Sequence, residues 1–442
     1  MPEFLDEFAA SVVHKKESIR EKVFKGTPNP LKDHFKSHFG SMWVTIDDPV
    51  KLGVNPSELG VMAVDSSVYT NLLSSGGVFY VVRSLAVCRN NEEKRLESDV
   101  FFTKGGSVAE REFVSVKMEM LEFQVAADAL KKGFDCALIL VDGSLYGRLV
   151  HVPIESKIEE GHLILLDYFR VYRELLDLCK KNHVLLVGVA KESRSTSFRD
   201  YLLNLMFKEE LNKIDIDDDD ARRLKPLFME VMDNATFGLQ KFEKFSQKYG
   251  AKLETVQLIL NELACSRPDY QLVMNFAESL GYTQPLLLGP SPRLSRRLEE
   301  SRANPKKYVR KNFPNTFRER GKEFVEEAAE VVADIPKFPG IVSFYILLDR
   351  RDSPIRIDLP CWDYSLADVG WPKPVTPDLE GLLKVLATGY CGLDCHNLWL
   401  KNVDERVRLK KRTVDNIYFP CMEKLFGDKI IRGRSYRRVK FP

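Results

Sequence analysis

The chain has no run of roughly 18 apolar residues, the length a membrane-spanning helix needs. No membrane span is therefore expected. Its first residues show no basic stretch leading into an apolar core, so no secretory signal is read. Net charge is also scarce: 66 Lys and Arg against 64 Asp and Glu leave +2. The overall balance thus carries no signal for nucleic acid, and only local patches can. No Walker motif and no Gly-x-Gly cluster is present, so any ATP-driven movement must come from a partner. None of the eight cysteines forms a Cys-x-x-Cys pair, and several sit in strand-like runs as small core residues of a reducing compartment. Cys391, Cys395 and His396 lie close in sequence but lack the second ligand pair of a structural zinc site.

What the chain does have is an apolar run that ends in a carboxylate, twice. Gly60–Ser67 reads Gly-Val-Met-Ala-Val-Asp-Ser-Ser, a buried-type strand running into Asp65. Cys136–Ser144 repeats the pattern, with Asp142 at its end. Two neighbouring strands of this kind would bring two carboxylates to one end of a sheet. Like charges at that range repel unless a cation sits between them. Asp65 also suits a plain turn, since Asp-Ser-Ser is good turn chemistry. Between them, Ser115–Lys132 has helical spacing. Lys117, Gln124, Asp128 and Lys131 share one face, while Glu119 and Glu122 fall on the apolar face, where a carboxylate is costly unless paired or metal-bound.

Strand-Asp, helix-Glu, strand-Asp is the acidic order of RNase H-like nucleases. Val64–Tyr69, Val78–Val87, Leu138–Leu145, Val189–Ser195 and Thr388–Asn397 together resemble the NurA nuclease family, in the family's order. The resemblance implies an α/β fold: an RNase H-like mixed sheet flanked by helices, with a large helical insertion. It adds Tyr390 and His396 to the site and places Lys191 beside the acidic cluster, where it holds a phosphate. The implied activity is metal-dependent DNA cleavage, as a 5′–3′ exonuclease and single-strand endonuclease. The implied partners are single-stranded DNA and duplex ends, a second copy of the chain, and a HerA-type hexameric ATPase in end resection for double-strand-break repair. The expected chemistry has Asp65 and Asp142, with Glu119 or Glu122, holding two divalent ions about 4 Å apart, and His396 as a ligand or proton carrier. Oxygen donors suit Mn²⁺ or Mg²⁺ better than zinc.

At 442 residues, two or three lobes are expected. The reading is an N-terminal helical segment over 1–59, a first part of the core over 60–197, a helical insertion over 198–335, and a second part of the core with a basic tail over 336–442. Arg89–Glu97 reads as a charged loop and Thr27–Pro30 as a helix break. Asp215–Asp220 lacks the glycine and distal glutamate of a calcium loop and reads as an acidic turn or helix start. Arg296, Arg297, Lys306, Lys307, Arg310 and Lys311 crowd together with Tyr308, Phe313 and Phe317 interleaved. Cations for phosphates and aromatics for bases are what single-strand binding uses, although a basic run is also a common solvated face. Arg356 and Asp358 share a strand face and read as a salt bridge at a sheet edge, with Asp358 a lesser candidate for the acidic site. Two other classes compete with the nuclease: a non-catalytic DNA-binding module of a repair complex, and an RNase H-like nucleotide-dependent enzyme.

Overall fold

The computed structural model describes residues 3–22, 30–46, 51–290 and 292–432. Thr27–Asn29, within the expected helix break, and the basic positions Arg434, Arg437, Arg438 and Lys440 lie outside the described residues. The chain forms two compact units. Met1–Ser41 with Asp200–Arg267 makes one, and Met42–Arg199 with Pro268–Pro442 makes the other. No described helix is long and apolar enough to cross a membrane.

The first unit is helical. Its N-terminal helices, Leu5–His14 and Lys16–Arg20, bury none of their residues. Asp217 caps helix Asp218–Leu224 by accepting from Asp219 N–H, so the acidic run is a helix start. Asp220 is bonded to Lys248 and Tyr249.

The second unit is built on one mixed sheet. Its strands are β1 (Trp43–Thr45), β2 (Val61–Leu72), β3 (Val78–Cys88), β4 (Asn91–Phe101), β5 (Leu138–Asp142), β6 (Leu185–Ala190), β7 (Gly281–Thr283), β8 (Leu286–Leu288), β9 (Pro339–Leu347), β10 (Ile355–Ser365) and β11 (Lys373–Pro374). The main order is β1-β7-β9-β10-β6-β5-β2-β3-β4, with β8 on β9 and β11 on β8. β2, β3 and β4 form an antiparallel meander, whereas β5 runs parallel to both β2 and β6. This is a mixed sheet flanked by helices, the α/β arrangement expected.

Alternation decides which residues meet at the sheet's centre. Met62, Val64, Ile139 and Val141 pack on the face covered by helices Gly106–Lys131 and Ile164–Lys181. Val61, Ala63, Leu138, Leu140, Val187 and Val189 pack on the other, against helices Glu380–Gly389 and Leu398–Val407. Burial on both faces is why these strands are apolar throughout.

Three expectations need correction. The charged stretch Arg89–Glu97 is not a loop but most of β4, an edge strand paired with β3 alone in the sheet order. Alternating charge suits an edge, and Arg95 reaches Asp128 of the long helix at 2.5 Å. The helical stretch after residue 197 is not continuous, because β7 and β8 return to the sheet at residues 281–288. Finally, Tyr308 and Phe313 do not face nucleic acid. They are buried with Phe324 in the core under helices Pro305–Asn312 and Pro314–Asp334.

Candidate metal and phosphate site

The parallel register pairs Val64 with Val141, so Asp65 and Asp142 are the next residues on adjacent strands. Both continue the rows formed by Val61 and Ala63 and by Leu138 and Leu140, and so share one face. Lys191 follows Val187 and Val189 on that face, just past the end of β6. Its Nζ lies 3.0 Å from Asp142 Oδ2. The sharp exit from β5 depends on two glycines. Gly143 has φ of 109°, and Gly188 on β6 leaves no room for a Cβ beneath the Gly143 carbonyl, 2.8 Å away.

Glu122 comes from the long helix on the opposite face. Ser66 Oγ donates to Glu122 Oε1 at 2.5 Å, which ties the helix to β2 one residue beyond Asp65. Arg148 Nη2 donates to the other Glu122 oxygen and to the Asp142 carbonyl, the latter at 2.9 Å. Arg148 is itself buried, lies over the Phe123 ring and leaves Nη1 without a hydrogen-bond partner. It thus links the helix carboxylate to the end of β5.

The charges are unevenly compensated. Lys191 neutralises Asp142 and Arg148 neutralises Glu122. Among the described residues, no basic side chain forms an ion pair with Asp65. Burial, then the charge of Glu122 and more weakly that of Asp142, pushes the Asp65 carboxyl up to about 7, against the Ser66 N–H bond that favours the anion. Asp404, on helix Leu398–Val407, adds to the repulsion. Burial also raises the Glu122 carboxyl despite Arg148. His396 is shifted the other way: burial and then the Lys191 charge lower its pKa, so the ring is neutral at pH 7, and its Nε2 is buried without a hydrogen-bond partner.

The structure therefore gathers Asp65, Asp142, Lys191 and His396, with Glu122 reaching in from the other face. Glu119 stands apart. It accepts from Tyr168 OH at 2.8 Å and lies 3.1 Å from His151 Nε2. Burial works against its charge, but the His151 bond, the Arg148 charge and the Tyr168 bond outweigh it and hold the carboxyl low. Tyr390 donates to Asp352 at 2.9 Å, and burial followed by that carboxylate raises its hydroxyl pKa. Asp358 is not part of the cluster. It is buried with Arg356 at 2.9 Å and accepts from Ser144 Oγ and Tyr146 N–H. β10 lies between β9 and β6, so this ion pair is interior rather than at a sheet edge. The basic helices carry Lys306 on Glu326 at 2.5 Å, Lys311 on Glu300 at 2.9 Å, and Arg310 over Phe317. Arg296 and Arg297 lie on the neighbouring helix Pro292–Ala303, and Lys307 lies on Pro305–Asn312. A groove of about 640 Å³ between helices Ile164–Lys181 and Pro314–Asp334 holds none of the candidate residues.

Whether this set suits a divalent cation can be judged from its donors. Among the described residues, no three His, Cys, Asp or Glu side chains already stand as a metal cage. The donor types nonetheless fit: carboxylate oxygens from three elements, one neutral imidazole with a free nitrogen, and a buried carboxylate whose charge lacks a counter-ion.

A family model described as the NurA domain matches residues 59–408. The chain belongs to the NurA family. The matched span contains every residue gathered at this NurA site, from Asp65 to Asp404. The crystal structure of the NurA nuclease from Sulfolobus solfataricus superposes with a TM-score of 0.51 at 13% identity, covering 97% of this chain and 98% of the other. At that identity the likeness is one of fold. A crystal structure of NurA bound to dAMP and manganese is 15% identical over 94% of this chain and 96% of the other, with a TM-score of 0.35. No curated protein matches the sequence.

Sequence reasoning missed Arg148, Ser66, Asp352 and Asp404. Ser66 carried a signal, as a hydroxyl directly after the strand carboxylate. Arg148 carried none, because its partner Glu122 lies 26 residues earlier on another helix.

Proposed function

We propose that this NurA chain is a divalent-metal-dependent deoxyribonuclease that hydrolyses phosphodiester bonds beside the ends of β5 and β6. One observation carries the reading: the parallel register of β2 and β5 sets Asp65 and Asp142 side by side on one face, with Asp65 lacking a basic partner among the described residues. Asp65 and Asp142 would hold the ion, with Glu122 and His396 beside them. A divalent cation bound there polarises a phosphoryl oxygen and makes water a better nucleophile at neutral pH.

The chain's own groups supply the rest. Lys191, half-exposed at the end of β6, binds the scissile phosphate. Arg148 fixes Glu122 against β5. His396, neutral and with Nε2 unpartnered, accepts or relays a proton. Tyr390 orients the loop leading to His396 through its bond to Asp352. Mn²⁺ or Mg²⁺ is the ion that oxygen donors favour. Family membership supports a wider setting: 5′–3′ exonuclease and single-strand endonuclease action, a homodimer, and a HerA-type hexameric ATPase partner in end resection. The missing Walker motif supports a separate motor.

The test is digestion of end-labelled single- and double-stranded DNA with manganese, magnesium or chelator. Ion-dependent products are expected, and Asp65→Ala and Asp142→Ala should each abolish them while the chain stays folded. Glu122→Gln should lose far more cleavage than Glu119→Gln, whose partners are His151 and Tyr168. DNA binding without cleavage under every ion would instead establish the binding-module reading.

A further inference from the structure

Between Tyr390 and His396 the chain reads Cys391-Gly392-Leu393-Asp394-Cys395. The segment turns back on itself. Cys391 N–H donates to the Cys395 carbonyl at 2.9 Å, and Cys395 N–H donates to the Gly392 carbonyl at 3.0 Å. Gly392 has φ of 95°, a left-handed conformation that permits so tight a turn. Residues joined by one main-chain bond of this kind stand about 5–7 Å apart at Cα, a range that overlaps the one a disulfide spans. The Cys391 thiol donates to the Gly389 carbonyl at 3.7 Å and stands beside the Cys395 thiol. Both are reduced here, Cys391 exposed and Cys395 half-buried.

We propose that Cys391 and Cys395 form a reversible intrachain disulfide, with small-molecule disulfides as the oxidant, and that it staples the turn carrying His396. The exposed Cys391 thiolate attacks one sulfur of the small disulfide, forms a mixed disulfide and expels one thiolate. Cys395 then loses its proton to solvent and attacks the Cys391 sulfur, expelling the second thiol. The protein dithiol is oxidised by two electrons, and the small disulfide is reduced to two thiols. The main-chain bond already draws the two residues together, and closure turns the Cys391 thiol from the Gly389 carbonyl toward Cys395. The ring would also act on the next element. The Asn397 N–H lies on the side of the Cys395 thiol and favours its thiolate, and the Asn397 side chain caps helix Leu398–Val407 by accepting from Leu400 N–H at 3.1 Å. The staple therefore reaches from the exposed tip of the turn to the helix that carries Asp404. A second neighbouring pair, Cys88 and Cys136, differs in access: Cys88 is buried at the end of β3 with its thiol on the Asp135 carbonyl.

The experiment treats the full chain, in chelator, with excess oxidised glutathione, followed by alkylation and peptide mapping. The expected product is a 391–395 peptide lighter by about 2 Da and resistant to alkylation, restored by dithiothreitol. Cys395→Ser should stop at the mixed disulfide, leaving glutathione on Cys391. Wild type that keeps glutathione on Cys391 while Cys395 alkylates overturns the ring. Hydrogen exchange supplies the second measurement. Amides across 391–397 should exchange more slowly in the oxidised protein, and equal exchange in both forms overturns the staple. Neither readout depends on DNA cleavage, so the nuclease assignment and this inference fail separately.

Discussion

Asp65 carries its charge in a buried place with no basic partner among the described residues. Its carboxyl titrates near 7 in the folded chain, against about 3.9 when unfolded. Between those values the native state holds the proton more tightly than the unfolded one. This group's contribution to stability is therefore full at low pH and is lost as pH rises through 7. In chelator, thermal denaturation at about pH 5.5 and about pH 8 should show wild type losing stability on the alkaline side. Asp65→Asn should remove much of that loss, worth up to a few kcal/mol; an unchanged slope would place the titration elsewhere. The same proton competes with a cation, so manganese affinity should weaken as pH falls below 7. At this scale the two aspartates were legible, because an apolar strand running into a carboxylate is visible in one line of sequence. The choice between Glu119 and Glu122 was not. A helical wheel gives faces, whereas the two differ in what they meet along the helix, Ser66 at one and His151 at the other.

Elements place those residues, and Gly188 shows how tightly. A Cβ there would meet the Gly143 carbonyl and Leu145 N at 2.8 Å, both main-chain atoms that cannot swing aside. Gly188→Ala should cost about 1–3 kcal/mol in chemical denaturation and weaken cleavage more than substrate binding, because it pushes on the exit from β5. Denaturation at the wild-type midpoint would show that the strands slide apart freely. The central strands were legible as apolar runs, since a strand covered on both faces must be apolar throughout. β4 was not, because Glu92–Glu97 satisfies its charges at an edge and against the long helix, contacts that no local pattern reveals. Tyr308 and Phe313 misled for the opposite reason. Aromatics among cations are read as base platforms, but at helical spacing they serve equally well as the inward side of a basic helix.

For the whole molecule, the proposed role of the basic helices between 292 and 320 as a DNA surface can be tested through salt. Lys306 and Lys311 are already paired with glutamates, whereas among the described residues Lys307 and Arg310 form no ion pair. Lys307→Glu and Arg310→Glu should each weaken single-strand binding and flatten its salt dependence by about one phosphate contact. Lys306→Glu and Lys311→Glu should do less, and equal effects at all four would argue for a diffuse field instead. The two-unit division was not legible, since it joins Met1–Ser41 to residues some 160 positions later. The order in which the site's pieces are encoded has its own outcome. Asp65 and Asp142 lie in the first third of the sequence, and His396 and Asp404 come more than 250 residues after Asp142. A polypeptide still leaving the ribosome carries the two strand aspartates long before it can bring up the histidine turn and the helix behind it. By the proposed assignment of the site, a growing chain cannot cut DNA until the histidine turn has emerged, so synthesis itself delays the activity.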